Sequence, residues 1–117
     1  MNETAKHSED MIEKYELENM IKGWFIGNFE PTLYKTADVE VGIKKYKAGD
    51  HESAHHHKIA TEFTVVLNGE VEIGGQRYCD GNIIKVIPGV SIDFTAVTDV
   101  TTIVVKIPGA SNDKYID

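Results

Sequence analysis

The residues best suited to chemistry lie between Gly49 and Gly69, a stretch that holds four of the five histidines. His55 and His57 are separated by one residue, and on a β-strand this spacing directs both imidazoles to the same face. Glu62 follows five residues later, within a second strand-like run. Two imidazole nitrogens and one carboxylate from neighbouring strands form a workable ligand set for a divalent transition metal.

A plainer interpretation of the same stretch stays open. A run of three histidines is compatible with a solvated surface loop, and His56 is expected to face away from its two neighbours. His55 and His57 are also compatible with a merely structural role or with the polar lining of a cavity. Glu62 alone would be interpreted as a surface charge, although its strand allows an inward position.

Short strands must position these residues. From residue 39 onward the chain alternates between apolar and polar residues, and glycine- and proline-containing turns interrupt it at close intervals. The Asn68-Gly69 pair is predicted to be a two-residue hairpin turn, after which residues 70–73 pair back on the preceding strand. The pattern predicts an all-β fold, a barrel or sandwich of antiparallel strands, with strands at residues 39–43, 61–67, 70–73, 76–79, 82–87, 92–97 and 100–107.

The segments outside these strands are expected to be an arm and a tail. Residues 1–22 are predicted to be an N-terminal arm, with a short helix at residues 8–15 capped by Ser8 and a further turn at residues 17–20. The β-barrel domain is predicted to span residues 23–110, and residues 111–117 are predicted to be a polar tail. The aromatic segment 24–29 is expected to pack in the core or line a barrel end, and to take part in a homodimer with the arm.

Composition limits the function classes. The 117 residues predict one domain, and a hydrophobic fraction of 41% is typical of globular proteins. A net charge of −7 with a single arginine argues against nucleic acid and anionic membranes as partners. No apolar run is long enough to span a membrane, and the N-terminus does not resemble a secretory signal. Cys79 is the single cysteine and is expected to be a small buried residue, and a reducing, cytoplasmic location is predicted.

Five residues carry a resemblance to a known family. Gly49, His55, His57, Glu62 and Gly69 match the first conserved motif of the cupin superfamily in type and spacing. The resemblance implies a cupin-type antiparallel β-barrel or jelly roll, in proteins that are often dimeric. In metal-binding cupins the histidines and the glutamate of this motif coordinate the ion. The resemblance therefore implies that the three corresponding residues here bind a divalent transition metal, whether Fe, Mn, Ni, Zn or Co.

The second cupin motif is only partly matched. Residues 81–89 resemble it, with Ile87 where the motif usually has its first proline. A third histidine normally follows three residues after the last glycine of this motif, and here that position is Ile92, which cannot bind a metal. Asp93 is expected to face away because it alternates with apolar residues. The remaining set resembles the facial triad of non-haem iron enzymes, and is also what a cupin that has lost its metal would retain.

Three functional hypotheses follow from this set. The first is a metal-dependent enzyme of isomerase, epimerase or dioxygenase type that acts on a small polar metabolite, with a carbohydrate as the favoured class. The second is a metal-free cupin module that binds or senses a small molecule without catalysis. The third is metal-free acid–base catalysis by a histidine of the barrel, which needs a partner group that the sequence does not place.

Overall fold

The computed structural model describes residues 11–117 of this chain. Part of the predicted helix at residues 8–15 lies outside the described residues, and residues 12–15 have no regular secondary structure. No helix in the described part is long and apolar enough to cross a membrane. A single turn of 3₁₀ helix at Leu17–Asn19 precedes ten strands: β1 Trp24–Ile26, β2 Glu40–Tyr46, β3 His51–His57, β4 Thr61–Asn68, β5 Glu70–Ile73, β6 Gln76–Cys79, β7 Ile83–Val86, β8 Ile92–Ala96, β9 Val100–Ile107 and β10 Lys114–Ile116.

The strands form two five-stranded antiparallel sheets. The first sheet has the order β1-β2-β9-β4-β7, and the second has the order β10-β3-β8-β5-β6. The predicted all-β antiparallel class is therefore confirmed. Apolar side chains from both sheets meet between them and form the core: Val66, Val71, Ile73, Ile84, Phe94, Ala96 and Val100.

The predicted hairpin at Asn68-Gly69 is wrong. β4 pairs with β7 and β9, whereas β5 pairs with β6 and β8, so the two strands belong to different sheets. Gly69 has a φ of +98°, and it turns the chain from the first sheet into the second. The turn signal correctly marked a reversal of the chain, but it carried no information about which strand pairs with β5.

The C-terminal segment is part of the fold. Residues 111–117 were predicted to be a polar tail, but β10 lies within them and pairs with β3 at the edge of the second sheet. Cys79 was expected to be buried and is exposed, because it ends the edge strand β6. A short polar strand at a sheet edge gives little periodic signal, which explains why β10 was not predicted.

Strand β2 turns its polar side chains inward. Lys44 and Tyr46 line the space between the sheets, while Val41 and Ile43 face outward. Alternation predicts which residues share a face, but not which face meets the core. As a result the first sheet is apolar on its outer side as well, in two cross-strand rows that we call the outer apolar patch: Val41, Val105 and Phe63, and Ile43, Ile103, Val65 and Ile83.

The turn at Gly69 makes a testable prediction. A Cβ atom at Gly69 would lie 2.4 Å from the carbonyl oxygen of Asp99, whereas Gly49, with a similar φ of +94°, has open space around it. Gly69→Ala is expected to lower the free energy of unfolding by about 3 kcal/mol, because it adds a backbone clash to left-handed strain. The matched control Gly49→Ala is expected to cost only about 1 kcal/mol. Urea denaturation measures both, and equal losses would contradict this explanation.

Candidate functional site

A cavity of about 280 Å³ lies between the two sheets. His55, His57 and Glu62 all line it, as expected, with the histidines on β3 and the glutamate on β4. Residues 58–60 connect the two strands, so the five-residue spacing crosses from the second sheet to the first. The three predicted site residues are therefore brought to one cavity from opposite walls.

An irregularity in β3 directs a further acidic residue inward. Glu52 pairs with Phe94 and His55 pairs with Ile92, so three steps along β3 match two steps along β8. This bulge lets both Glu52 and His55 line the cavity, although their odd spacing would place them on opposite faces of a regular strand. Glu52 is thus a wall residue of the cavity.

His57 is buried, with 6% of its surface exposed, and its two ring nitrogens have different surroundings. Its Nδ1 lies 3.1 Å from the backbone carbonyl oxygen of Asp113. A carbonyl oxygen only accepts hydrogen bonds, so Nδ1 carries a proton. Its Nε2 is buried, has no hydrogen-bond partner among residues 11–117, and lies 3.3 Å from Oε2 of Glu62.

His55 repeats this arrangement on the same strand. It is also buried, and its Nδ1 lies 3.0 Å from the carbonyl oxygen of Ser53. The two imidazoles meet edge to face with centroids 5.7 Å apart. With both Nδ1 atoms donating to backbone carbonyls, both Nε2 atoms keep their lone pairs, as metal-binding histidines do.

Glu62 is held as a carboxylate. Burial would raise its pKa, but the interaction with His57, followed by those with Lys106 and His55, outweighs burial and lowers the pKa overall. Lys106 is its direct cross-strand neighbour on β9. An ionised carboxylate is the form that binds a metal cation.

The donor set suits a metal ion. The lone pair of His57 Nε2 faces a carboxylate oxygen, and either a proton on Nε2 or a cation satisfies such a contact. In the part of the chain that the structure describes, no three His, Cys, Asp or Glu side chains are close enough together to hold one ion. The observed contact joins His57 and Glu62, and the participation of His55 as third ligand stays a prediction.

The neighbouring residues lie where the alternation places them. Ile92 lines the cavity beside His55, so this side of the site is apolar. Asp93 instead accepts a hydrogen bond from the backbone N–H of Gly74, away from the histidines. His56 stacks on Tyr115 and contacts Asp117 on the other face of the second sheet.

Sequence analysis missed Asp113. Its carboxylate accepts hydrogen bonds from three consecutive backbone N–H groups, those of Lys58, Ile59 and Ala60, at 2.9 to 3.2 Å. These residues form the connection between His57 and Glu62, so Asp113 fixes the loop that sets the distance between them. Nothing in the local pattern marks this residue, because one aspartate in a polar segment resembles any solvated acid.

Known proteins match this chain in structure but not in sequence-based comparisons. No protein-family model matches the sequence, and no curated protein sequence matches it. A protein with a double-stranded β-helix domain from Klebsiella pneumoniae is 16% identical, with a TM-score of 0.69 over 91% of this chain and 98% of that chain. An RmlC-like cupin from Shewanella frigidimarina is 20% identical, with a TM-score of 0.60 over 67% of this chain and 72% of that chain. The DMSP lyase DddQ from Ruegeria pomeroyi is 14% identical, with a TM-score of 0.66 over 88% of this chain and 59% of that chain.

These matches identify the architecture. The chain has the cupin fold, a double-stranded β-helix of two antiparallel sheets. The fold implied by the motif resemblance is thereby confirmed. Of the first-motif residues, His55, His57 and Glu62 line the cavity between the sheets.

The hydrogen bonds from the backbone of Lys58, Ile59 and Ala60 to Asp113, which we call the Asp113 clamp, lead to a second prediction. Asp113→Ala leaves three backbone N–H groups without their acceptor, and we expect a loss of about 3 kcal/mol or more in the free energy of unfolding. Asp113→Asn keeps one acceptor oxygen and is expected to lose about half as much. Urea denaturation at pH 7 measures both changes, and an unchanged stability in Asp113→Ala would contradict the clamp.

The same residue predicts a pH dependence. Burial would raise the pKa of Asp113, but the hydrogen bonds from Ala60, Lys58 and Ile59 outweigh it and lower the pKa. A carboxyl with a depressed folded pKa stabilises the protein above its unfolded pKa, about 3.9, and this contribution disappears as the pH falls through the folded value. The stability difference between wild type and Asp113→Asn should therefore shrink between pH 5 and pH 2.

Proposed function

We propose that this protein is a metal-dependent cupin enzyme that acts on a small polar metabolite, with a carbohydrate-type compound as the favoured class. The observation that carries the proposal is the buried Nε2 of His57, which faces the carboxylate of Glu62 and has no hydrogen-bond partner in the described part of the chain. A buried unpaired lone pair costs free energy that a cation in this position would offset. The reaction is of isomerase, epimerase or dioxygenase type.

Three residues hold the ion in this proposal. His57 and Glu62 are in contact, and His55 offers its Nε2 from the same strand as His57. A divalent ion of Fe, Mn, Ni, Zn or Co supplies Lewis-acid or redox chemistry when bound. The backbone carbonyls that accept from both Nδ1 atoms fix the orientation of the rings, and such supporting contacts usually raise metal affinity.

Other cavity residues bind and orient the substrate. Tyr46 packs against Phe94 with ring centroids 4.5 Å apart and lines the cavity. Burial, followed by the negative charges of Glu52 and Glu62, raises the pKa of its phenol. The phenol is therefore protonated at neutral pH and donates a hydrogen bond to a substrate oxygen. The apolar wall around Ile92 excludes water on the opposite side.

The alternative is a metal-free binding module. Ile92 favours it, because this residue lies beside His55 and provides no ligand atom. In that case the proton on His57 Nε2 satisfies Glu62, and the pair serves as hydrogen-bonding lining. One of the similar structures is a lyase, so the fold carries catalysis in that protein. This favours the enzyme over the binding module.

Metal content distinguishes the two functions. We predict near-stoichiometric metal in protein purified without a histidine tag and incubated with Fe, Mn, Ni, Zn or Co salts. His57→Ala should lower the bound metal ~10-fold or more, since it removes a ligand in contact with the carboxylate. His56→Ala is the matched control, because its side chain lies on the other face of the same strand. Elemental analysis measures all three proteins, and equal metal in both variants would contradict the proposed site.

We also propose that the protein forms a homodimer through the outer apolar patch. An antiparallel sheet that faces water usually carries polar side chains, whereas this patch has seven apolar residues. An apolar surface can be buried against its own copy about a twofold axis. From standard strand spacings the patch spans roughly 14 Å across four strands and roughly 7 Å along them, which is much less than the ~800 Å² per partner of a typical interface. The N-terminal arm adds exposed apolar side chains at Met11, Ile12 and Tyr15.

Charge at the centre of the patch tests the dimer. Ile103→Lys is expected to yield a monomer at micromolar concentrations, because each copy would bury an unpaired ammonium group. Thr101→Lys, on the same face of β9 but outside the patch, should leave the dimer intact. Sedimentation velocity measures both variants. A monomeric wild-type protein at high micromolar concentration would contradict the proposed assembly.

A further inference from the structure

The cavity has a charge opposite to that of the protein. The whole chain has 12 basic and 19 acidic residues, yet the cavity wall carries two carboxylates, Glu52 and Glu62, against four lysines: Lys22, Lys44, Lys106 and Lys114. A third of all basic residues thus lies around one small cavity of an acidic protein. A low-dielectric concave wall concentrates such a field and attracts anions.

Two of these lysines flank one aromatic ring. The ammonium nitrogens of Lys44 and Lys106 lie 5.2 Å and 5.1 Å from the centroid of Trp24. The indole lies against Gly42, where a Cβ atom would be only 2.7 Å from the ring. Glycine at this position lets the indole approach the sheet, and cation–π attraction holds both ammonium groups near the ring.

The charges of these lysines are poorly compensated within the protein. Among residues 11–117, Lys44 forms no ion pair, and its ammonium donates to the backbone carbonyl of Lys22 at 2.8 Å. Lys106 lies 3.9 Å from Glu40, at the outer limit of an ion pair. Burial lowers the pKa of Lys44, and the neighbouring lysines lower it further against the opposing effect of Glu52. Lysines held close together in spite of this mutual repulsion are typical of a binding site for a negatively charged ligand.

A hydroxyl group adds a second, independent indication. Thr102 is 1% exposed, lines the cavity, and its Oγ1 has no hydrogen-bond partner among the described residues. It lies directly opposite Lys44 in the pairing of β2 with β9. A buried hydroxyl without a partner costs free energy unless a ligand accepts its hydrogen bond.

We propose that the cavity binds a small organic acid whose carboxylate is held by Lys44 and Lys106 beside Trp24, with Thr102 as an additional donor. This inference names the substrate class and therefore rests on the same cavity as the proposed function. A cavity of about 280 Å³ lies at the lower end of the range for small-molecule sites, which suits a compact acid. The far end of such a ligand extends towards His57 and Glu62.

The experiment uses metal-free protein in EDTA, so that binding of the acid is measured apart from the metal. Malonate, succinate, glutarate and gluconate are titrated by calorimetry at low ionic strength, together with neutral succinamide and inorganic phosphate. At least one acid is expected to bind, and its affinity should fall as salt increases. Succinamide, which matches succinate in size without the charge, should not bind.

Lysine variants locate the site. Lys44→Met should weaken the binding of the acid ~10-fold or more, because it removes a half-buried charge but keeps most of the side-chain volume. Lys45→Met is the matched control, since Lys45 is exposed and its side chain does not line the cavity. Thermal melting confirms that both variants fold, and the comparison of succinate with succinamide in wild type is independent of any variant.

Several results would overturn the proposal. The proposal is wrong if none of the four acids binds, or if succinamide binds as tightly as succinate. It is also wrong if phosphate binds and no carboxylate does, or if Lys44→Met and Lys45→Met bind the acid equally. Failure here is distinguishable from failure of the metal site. If His57→Ala loses its metal but Lys44→Met binds the acid as tightly as wild type, the organic-acid proposal is wrong and the metal site stands. If Lys44→Met loses acid binding but the wild-type protein binds no metal, the metal-dependent function is wrong and the organic-acid proposal stands.

Discussion

Asp113 contacts the connection between β3 and β4, the strands that carry His57 and Glu62 on opposite walls of the cavity. Its carboxylate binds three backbone N–H groups of the β3–β4 connection, and its carbonyl oxygen accepts the Nδ1 proton of His57. One residue thus fixes the loop between His57 and Glu62 and also sets the tautomer of the histidine. The rest of the site depends on Asp113, because it fixes both the loop that sets the 3.3 Å separation of Nε2 from the carboxylate and the tautomer that leaves Nε2 free to bind a cation.

The cavity combines two kinds of polar surface. At one end buried histidine nitrogens face a carboxylate, which suits a cation, and the lysines around Trp24 suit an anion. Lys106 joins the two regions, because it is the cross-strand neighbour of Glu62 and also lies over the indole. A site that places a metal ion and an organic acid in one small cavity can use the lysines to orient the acid towards the ion.

The sequence predicted the local features better than the long-range ones. Period-two patterning located β4 and β9 to within a residue, and the motif spacing placed His55, His57 and Glu62 on one cavity. The pairing of β5 was wrong because a turn signal does not specify a partner strand. Asp113 was missed because its importance comes from tertiary contacts across more than fifty residues of chain. The lysines near Trp24 were missed because alternation does not state which face of β2, which carries Lys44, or of β9, which carries Lys106, is inside.

The most direct test of this account is the protonation of the two histidines, measured by ¹⁵N–¹H NMR of metal-free protein at alkaline pH. The structure predicts that both His55 and His57 carry their proton on Nδ1, with bare Nε2 atoms, because each Nδ1 donates to a backbone carbonyl. Addition of a divalent diamagnetic ion such as Zn²⁺ should then shift the Nε2 resonance of His57. A proton on Nε2 of His57 that persists at alkaline pH, or a resonance that does not respond to the ion, would contradict the account.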